Sequence, residues 1–539
     1  MTGSKKWTQL YPESVRLRFD ISPPTLNHVL ENAVSRYPDQ LAVVFKDVRW
    51  TYAELKEKVD NLASALKGIG IRKGDRVAMM LQNCPEFVAA YYAIMKVGGI
   101  AVMLNPMNKA PELSFYLNDS GAETMIASDA AHEILMSLER TPLKRRIWVH
   151  AAGSSPAGGH GDLSFERLTQ KGEQTEIPAA PIGPDDTAVL LYTGGTTGRS
   201  KGVMLTHGNL VANIAQHDEV YRDVLVHGSE RVMIPIPLFH SYGMTVGMNL
   251  GILQGSCLIL MERFQLEEAV QLIETHKPTR FLGMPTIYVA LNSHPRIQAC
   301  GMDNIKICHS GGAPIPVELI HEIERKTGVT IMESYGLTEC SPGVLGQPSK
   351  QNRRIGSVGI PLPMTDCKIV DLETGTREMP PGERGELIIK GPQVMKSYWQ
   401  RPEEMALAFR DGWLYTGDIA QMDEDGYFYI VDRKKDMIIA SGYNVYPREI
   451  EEVLYQHPAV REAVVVGVKD PYRGETVKAF ISLKAGAAAS EEEIIQHCKS
   501  NLSAYKVPKL IEFRPELPKS DVGKLLRKVL AEEAAGGKS

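Results

Sequence analysis

Residues 190–210 read LLYTGGTTGRSKGVMLTHGNL, an apolar strand that runs into a loop rich in glycine and threonine. A helix is expected to begin near Thr206, at the end of this stretch. Glycines let backbone N–H groups turn toward an anion, and the hydroxyls and Lys201 add donors and a positive charge. The spacing differs from that of a Walker A loop, and a flexible surface loop is the alternative interpretation. The stretch predicts a triphosphate site with candidate ligands Thr193, Gly194, Gly195, Thr196, Thr197, Gly198 and Lys201.

Outward from this stretch, short apolar runs alternate with helical patterns through the N-terminal part of the chain. A capping box at 51–54 (TYAE) begins a helix that is expected to end at Gly68, and another helix is expected over 85–97. Strands are expected at 76–81, 101–105, 122–128, 187–193, 231–238, 257–261, 280–283 and 305–309. This alternation predicts α/β layers with largely parallel sheets.

The pattern changes over 355–432, where glycine and proline become dense. The runs GELIIKG and YFYIVD are typical of strands, and Asp425-Gly426 is a favourable hairpin turn. These features predict a β-rich subdomain that packs on the α/β layers.

From residue 436 the sequence predicts a small α+β unit. Its helices are expected over 447–456 and from the Ser490 cap to about Leu502, and its strands over 463–468 and 476–483. We therefore expect a large N-terminal domain over 1–431, a hinge over 432–435 and a mobile C-terminal domain over 436–539.

Length and composition limit the class of protein. The chain has 539 residues, more than a single core usually holds, and a net charge of -5 that gives no reason to expect nucleic acid as a partner. Its seven cysteines form no CxxC pair, which favours a reducing, cytoplasmic compartment. The N-terminus lacks the apolar core of a signal peptide, and no apolar run is long enough to predict a membrane span.

Further motifs follow the first in a fixed order: 334–339 (SYGLTE), 415–418 (YTGD), 432–435 (DRKK) with 442–447 (GYNVYP), and 518–524 (PKSDVGK). Together with 193–202 they resemble the signatures of the adenylate-forming enzymes. That superfamily comprises acyl- and aryl-CoA synthetases, peptide-synthetase adenylation domains and beetle luciferases. The segments YTGGTTG, PLFHSYGMT and NPMNKAPELSFYLNDSGAE are most similar to bacterial medium- and long-chain fatty-acid–CoA ligases.

The resemblance implies an ATP-dependent fatty-acid–CoA ligase with two half-reactions. A carboxylate and ATP give acyl-AMP and pyrophosphate, and coenzyme A then takes the acyl group and releases AMP. Mg²⁺ is the implied cofactor, and fatty acid, ATP and coenzyme A are the implied partners. Peripheral membrane contact and a homodimer stay open.

The resemblance also implies nucleotide-binding roles. Glu339 would bind the metal, Thr338 would reach the α-phosphate or the carboxylate, and Asp418 would accept hydrogen bonds from the ribose, with Arg433 beside it. The adenine would lie between two segments, one containing Gly312, Ala313 and Pro314 and the other containing Ser334, Tyr335 and Gly336.

Acyl and coenzyme A contacts are implied for His240, Tyr242, Gly243, Gly283, Gly442 and Tyr443. Lys524 would bridge the carboxylate and phosphate during adenylation and then move away, with Lys435 as the hinge residue. The residues before Gly523, Asp521 and Val522, depart from the small residues or threonine common in the family.

Other functions remain open. An aryl- or short-chain acyl-CoA ligase, an enzyme that loads a carrier protein, and a luciferase-like oxygenase would share the adenylate chemistry. A noncatalytic nucleotide-binding protein is the alternative from another class, and Lys201, Glu339, Asp418 and Lys524 together argue against it. No carrier domain is expected after residue 530.

Overall fold

A computed structural model describes residues 5–150, 162–170, 181–193, 200–440, 443–470, 474–520 and 523–536. Its α-helices are α1 Leu26–Arg36, α2 Tyr52–Gly68, α3 Pro85–Lys96, α4 Ala110–Ser120, α5 His132–Met136, α6 Phe165–Thr169, α7 His207–Val220, α8 Leu250–Leu253, α9 Leu266–His276, α10 Pro285–Ser293, α11 Val317–Thr327, α12 Pro402–Ala408, α13 Pro447–Tyr455, α14 Glu491–Asn501 and α15 Arg527–Ala534. A π-helix spans Tyr242–Asn249 and leads directly into α8. Short 3₁₀ helices span Lys6–Leu10, Asp129–Ala131, Met302–Asn304 and Thr338–Cys340.

The strands of the described ranges fall into four sheets. They are β1 Leu41–Phe45, β2 Val48–Thr51, β3 Arg76–Met80, β4 Ile100–Met103, β5 Thr124–Ser128, β6 Arg145–Val149, β7 Asp162–Ser164, β8 Thr187–Thr193, β9 Lys201–Thr206, β10 Arg231–Ile234, β11 Cys257–Leu260, β12 Arg280–Gly283, β13 Ile307–Ser310, β14 Ile331–Gly336, β15 Gly343–Gly346, β16 Ile360–Pro361, β17 Asp366–Val370, β18 Arg384–Lys390, β19 Ser397–Tyr398, β20 Phe409–Arg410, β21 Trp413–Met422, β22 Phe428–Arg433, β23 Ile438–Ala440, β24 Tyr443–Val445, β25 Val460–Asp470, β26 Gly474–Leu483 and β27 Leu510–Phe513.

Two large sheets form the body. The first has the order β16-β15-β14-β13-β12-β10-β11-β1-β2, and the second has the order β19-β9-β8-β4-β3-β5-β6-β7. The central pairs of both sheets are parallel, while pairs at the edges, such as β1 with β2 and β8 with β9, are antiparallel. The predicted α/β class with largely parallel sheets is confirmed.

Local signals placed several helices correctly. Thr51 and Glu54 form the predicted capping box of α2, and Thr206 caps α7. Strand β9 was not predicted, because its apolar residues 203–205 are flanked by the glycine-rich loop and by the α7 cap. It pairs antiparallel with β8, so the phosphate-loop candidate connects two neighbouring strands, with Thr193 opposite Lys201.

One hydrophobic core joins both large sheets. It includes Phe87 and Tyr92 of α3, Ile214 of α7 and Met248 of the π-helix, all buried. The predicted β-rich segment is the sheet β17-β18-β21-β20, with β22 pairing to β21. Among the described residues, no helix is long and apolar enough to cross a membrane.

The C-terminal sheet, β24-β23-β26-β25 with β27 beside β26, has a separate core that includes Ile450, Leu454 and Ile481. Strand β22 continues through Asp432 and Arg433 of the expected hinge, and the next strand begins at Ile438. The chain between them, with Asp436 N–H bonded to the Arg433 carbonyl, is a turn. The division at 432–435 stays a prediction.

Candidate active site

The candidate site lies where three neighbouring parallel strands end. Gly283 of β12 is paired with Ser310 of β13, and Ser310 is paired with Glu333 of β14. The carboxyl ends of parallel strands in open α/β sheets are the usual place for ligands. This edge therefore brings together the 310–314 and 334–339 segments, with Gly283 beside them.

Close packing at this edge explains two of the glycines. Gly312 has φ of 80°, which favours glycine, and a Cβ on it would lie 3.0 Å from the Met284 side chain. A Cβ on Gly243 would lie 2.2 Å from the Pro237 carbonyl oxygen, so the start of the π-helix can approach the preceding loop only with glycine there. Gly312, Ala313 and Pro314 lie across from Ser334, whose hydroxyl donates to the Ser310 carbonyl at 3.3 Å.

Asp418 lies on β21 at the junction between the body and the β-rich sheet. Tyr335 donates a hydrogen bond from its hydroxyl to Asp418 at 2.6 Å, and the Arg433 guanidinium is 3.6 Å from the other carboxylate oxygen. Burial raises the pKa of the Asp418 carboxyl despite these partners. The structure thus brings together the aromatic residue and the carboxylate that were predicted to contact adenosine.

Glu339 lies in the short helix Thr338–Cys340, one turn after β14. Its carboxylate accepts a hydrogen bond from the Tyr398 hydroxyl at 3.0 Å, and burial raises its pKa. The ammonium of Lys201 lies over the Tyr398 ring, 5.2 Å from its centroid. Lys201 and Glu339 therefore share one neighbour, although 138 positions separate them in the sequence.

This arrangement is chemically suitable for Mg²⁺. The ion commonly combines one or two carboxylates with phosphate oxygens and water, and it rarely uses an all-protein cage. Glu339 offers such a carboxylate with one oxygen held by Tyr398. In the part of the chain that the structure describes, no group of three or more His, Cys, Asp or Glu side chains could hold a metal ion, so a metal here would depend on ligands from the nucleotide.

Lys524 reaches the same region from the C-terminal part of the chain. The Lys524 N–H donates a hydrogen bond of 3.1 Å to the Ser520 hydroxyl. The preceding residue, Gly523, packs against α10 of the body, since a Cβ on it would lie only 2.6 Å from Thr286 Oγ1. Burial and the nearby Arg433 lower the pKa of Lys524 to about 8, while Asp418 acts to raise it, so the ammonium is mainly charged at neutral pH.

His240 lies at the entrance to the π-helix. The Tyr242 N–H donates to His240 Nδ1 at 3.2 Å, and burial together with Lys524 lowers the pKa of His240 to about 4. The imidazole is therefore neutral at pH 7, and because Nδ1 accepts, its proton lies on Nε2. Gly283 is close to this region, and Tyr242 packs on Gly311, whose Cβ would lie 3.3 Å from the tyrosine ring.

Some predicted residues are not brought to this site. Tyr443 is 57% exposed and stacks on Tyr505 of the same domain, with ring centroids 4.7 Å apart. Lys435 is exposed in the turn after β22. Gly442 and the loop residues Gly194, Gly195, Thr196, Thr197 and Gly198 lie outside the described residues.

Sequence reasoning missed several neighbours of the site. Tyr398, which bonds Glu339, belongs to a two-residue strand that no motif marks. Arg448 of α13 approaches the buried Glu333, with a nitrogen–oxygen distance of 3.9 Å. The only available signal was the position of Glu333 directly before SYGLTE, and position alone does not identify a partner 115 residues away.

Comparison with known proteins finds similar family models, relatives and solved structures. The family model described as AMP-binding enzyme matches residues 30–399, and that described as AMP-binding enzyme C-terminal domain matches residues 449–524. A long-chain-fatty-acid–CoA ligase of Bacillus subtilis is 44% identical over 558 aligned positions, covering 99% of both chains. A feruloyl-CoA synthase of Amycolatopsis sp is 37% identical, covering 91% of this chain and 95% of the relative. The structure of o-succinylbenzoate coenzyme A synthetase from Bacillus subtilis, in complex with ATP and magnesium ion, superposes with a TM-score of 0.79 at 31% identity, covering 94% of this chain and 99% of the other.

Proposed function

Since the chain belongs to the AMP-binding enzyme family, we propose that it is an ATP-dependent fatty-acid–CoA ligase that works through an acyl-adenylate. The 44% identity over nearly the whole length to a long-chain-fatty-acid–CoA ligase supports the reaction and the acyl class. The approach of Lys524 to Asp418 and His240 is the observation that carries the proposal. This approach places the Lys524 ammonium, which comes from the C-terminal part, close to both the predicted nucleotide-binding residue Asp418 and the predicted acyl-site residue His240.

The first half-reaction brings a carboxylate to the α-phosphorus of ATP, and pyrophosphate leaves. Two anions must meet, so positioning and charge neutralisation carry much of the catalysis. Lys524, charged at neutral pH, would bridge the substrate carboxylate and the phosphate. Lys201 would lie along the phosphate chain with the 193–198 loop, and Thr338 would contact the α-phosphate.

Nucleoside recognition would use Asp418 and the neighbouring Tyr335. Its carboxylate can accept from ribose hydroxyls, and Tyr335, which already donates to it, offers a flat face to adenine. Mg²⁺ bound by Glu339 would neutralise charge on the phosphates. Tyr398 orients the carboxylate through its hydroxyl.

In the second half-reaction the thiol of coenzyme A attacks the acyl-adenylate carbonyl. The neutral His240, with its proton on Nε2, can donate a hydrogen bond to an acyl oxygen at the entrance of the π-helix. We propose that Lys524 leaves and that the loop containing Gly442 and Tyr443 takes its place, with Lys435 in the hinge. The exposure of Tyr443 in the present arrangement is consistent with a role only after this movement.

A reducing compartment, the cytoplasm, is proposed for this activity. All seven cysteines are free, which suits such a compartment. A homodimer stays a prediction.

The test is product analysis with purified protein, ATP, Mg²⁺ and a panel of fatty, short-chain and aryl acids. AMP and pyrophosphate are expected with fatty acids, and acyl-CoA when coenzyme A is added. ADP and phosphate as products would contradict adenylation. AMP formation with aryl acids alone, the acid class in the name of the feruloyl-CoA synthase relative, would retain the chemistry and replace the acyl class.

A further inference from the structure

A cluster of buried polar side chains lies where the π-helix packs on strands β12 and β13, and Tyr242 is the one member that was also a predicted acyl contact. Arg280, His217, His309, Tyr242 and Thr245 form this group, which we call the Arg280 cluster, and all are at most 6% exposed. Six of their side-chain atoms have no hydrogen-bond partner within the described parts of the chain: Arg280 Nε, both His217 ring nitrogens, His309 Nε2, Tyr242 Oη and Thr245 Oγ1. Buried polar groups in native proteins are nearly always bonded, so these atoms indicate a place that a polar group occupies.

The cluster continues from the acyl side of the candidate site. Arg280 and Gly283 are the first and last residues of β12, so their Cα atoms are about 10 Å apart at the usual rise per strand residue. The Arg280 guanidinium donates to the Val246 carbonyl of the π-helix at 3.2 Å. Tyr242 links the two regions. Its ring packs on Gly311 at the site, and the positive charge of Arg280 is close enough to act on the pKa of its hydroxyl, in the lowering direction.

The other members face the same side of the sheet. His309 of β13 is paired with Leu282 of β12. Leu282 is two residues from Arg280 on the same strand, and side chains two residues apart point to the same face of a sheet, so His309 and Arg280 share that face. Its ring is edge-on to Tyr221, with centroids 5.3 Å apart. His217 comes from α7, and a Cβ on Gly343, in the strand after 334–339, would lie 2.3 Å from its Nε2.

The charge of the cluster is positive. Arg280 is completely buried, and no carboxylate in the described segments forms an ion pair with it. Its nearest acid contact is indirect, because it donates to Gln254 at 2.8 Å and Gln254 donates to Asp218 at 2.8 Å. Glu230 is held by Lys306 at 2.7 Å. Burial lowers the pKa of His217 to about 3 and that of His309 well below its usual value, so both rings are neutral and can donate one N–H each.

An unsubstituted alkyl chain would leave the six unbonded side-chain atoms without partners and the Arg280 charge without a counter-ion. Burying a charge is unfavourable unless the charge is paired and hydrogen-bonded, and an apolar chain end offers neither. A carboxylate would offer both, since it accepts several hydrogen bonds and opposes the guanidinium charge.

We propose that the Arg280 cluster binds a second carboxylate at the far end of the acyl substrate, so that the preferred acids are α,ω-dicarboxylic fatty acids of medium length. This rests on the proposed acyl-CoA ligase function and specifies its substrate. One carboxylate is activated at the adenylate site, while the other stays ionised against Arg280 and the neighbouring N–H and O–H donors.

The first experiment uses the unmodified protein and matched substrates. Adenylation kcat/KM is measured for octanoate, decanoate and dodecanoate, for the α,ω-diacids of the same carbon numbers, and for the half-amides of those diacids. At the best length we expect the diacid to exceed both the monoacid and the half-amide by about 10- to 100-fold, the scale of hydrogen bonds to charged groups. A half-amide as good as the diacid, or monoacids favoured at every length, would overturn the proposal and leave water as the partner of the cluster. A failure to form AMP with any carboxylic acid would instead contradict the proposed function.

The second experiment uses Arg280→Met, which keeps an unbranched but shorter side chain and removes its charge and its hydrogen-bond donors. The diacid preference is expected to fall by at least tenfold, with decanoate turnover retained or improved. Arg231→Met is the matched control, because Arg231 begins the neighbouring strand β10 and bonds the His276 and Lys277 carbonyls at the surface. An unchanged diacid preference in folded Arg280→Met protein, as judged by circular dichroism, would overturn the proposal. If that variant does not fold, the half-amide comparison on the unmodified protein decides.

Discussion

At two buried carboxyls, the body contributes negative charge and the C-terminal part contributes positive charge to their shared boundary, while the Arg384–Glu449 ion pair has the opposite sense. The body presents buried carboxyls, Glu333 and Asp418, while Lys524 and Arg448 approach from the other side. Burial raises the pKa of both carboxyls, so their ionised forms are disfavoured where the two parts meet. The free energy of a contact between a buried carboxyl and a cation changes when a charged ligand or a proton binds nearby. The free energy of an apolar contact is much less sensitive to such binding.

Few apolar residues join the body to the C-terminal part. Each part has its own apolar core, and among the described residues one small apolar cluster, with Ile419, Val431 and Tyr446, spans the boundary. An ion pair between Arg384 and Glu449 adds a polar contact there. Interfaces that are small and polar allow relative movement of domains more readily than large apolar ones. A boundary of this kind suits the proposed change of position of the C-terminal part during the reaction.

The largest expected effect tests the cation that crosses the boundary. Lys524→Ala should slow acyl-adenylate formation by about 10²- to 10³-fold, because a preorganised charge facing the phosphate is lost. Thioester formation from supplied acyl-adenylate should be nearly unchanged. Single-turnover measurement of each half-reaction provides the check. Lys528→Ala, in the exposed part of α15, is the matched control, and equal slowing of both steps by Lys524→Ala would contradict the two-arrangement mechanism.

The next effect tests the carboxylate side of the comparison. Glu339→Gln should raise the Mg²⁺ concentration needed for half-maximal adenylation by about 10- to 100-fold, the scale on which metal sites respond to loss of supporting groups. Titration of Mg²⁺ at fixed ATP measures this. Glu403→Gln, an exposed carboxyl of α12, should leave the titration unchanged. An unaltered Mg²⁺ requirement in Glu339→Gln would remove Glu339 from the metal site.

How far the sequence predicted the molecule depends on the range of each interaction. The capping boxes at Thr51 and Ser490 were predictable because their partners lie three residues away. The ordered motifs placed Glu339 and Asp418 at one site through resemblance. The Tyr398 contact to Glu339 was not predictable, because the two residues are 59 positions apart and no pattern links them.

The Arg280 cluster was missed for a related reason. An arginine at the start of a strand is usually solvated, and PTRFLG contains no sign that this one is buried. Its environment arises from the π-helix and α7 packing over β12 and β13. Such groups become visible only when three or more distant segments are placed together.

A smaller effect is expected at the turn between the two parts. Lys435→Pro fixes φ at about −65° and should restrict the proposed movement of the C-terminal part. We expect adenylation to be spared and thioester formation to fall by about tenfold. Lys435→Ala is the control, since it removes the same charge and leaves the torsion free. Normal thioester formation by the proline variant, measured in single turnover, would exclude Lys435 as a pivot.

The smallest effect concerns Glu333, which lies buried beneath Arg448 and near Glu452. Burial raises the pKa of Glu333 to about 7, above its usual value of 4.5, with Arg448 acting in the opposite direction. The folded protein therefore binds this proton more tightly than the unfolded chain, so the contribution of Glu333 is fully present below pH 4.5 and is lost as pH rises toward 7.

Glu333→Gln keeps the shape of the protonated acid and cannot ionise. Relative to the unmodified protein, it should raise the free energy of unfolding at pH 8 by about 1–3 kcal/mol and change it little at pH 4.5. Urea unfolding at both pH values measures this difference. Glu373→Gln, an exposed carboxyl of the body, is the control. A stability difference that is the same at both pH values would show that Glu333 does not titrate at the boundary, and the charge asymmetry would then depend on Asp418 alone.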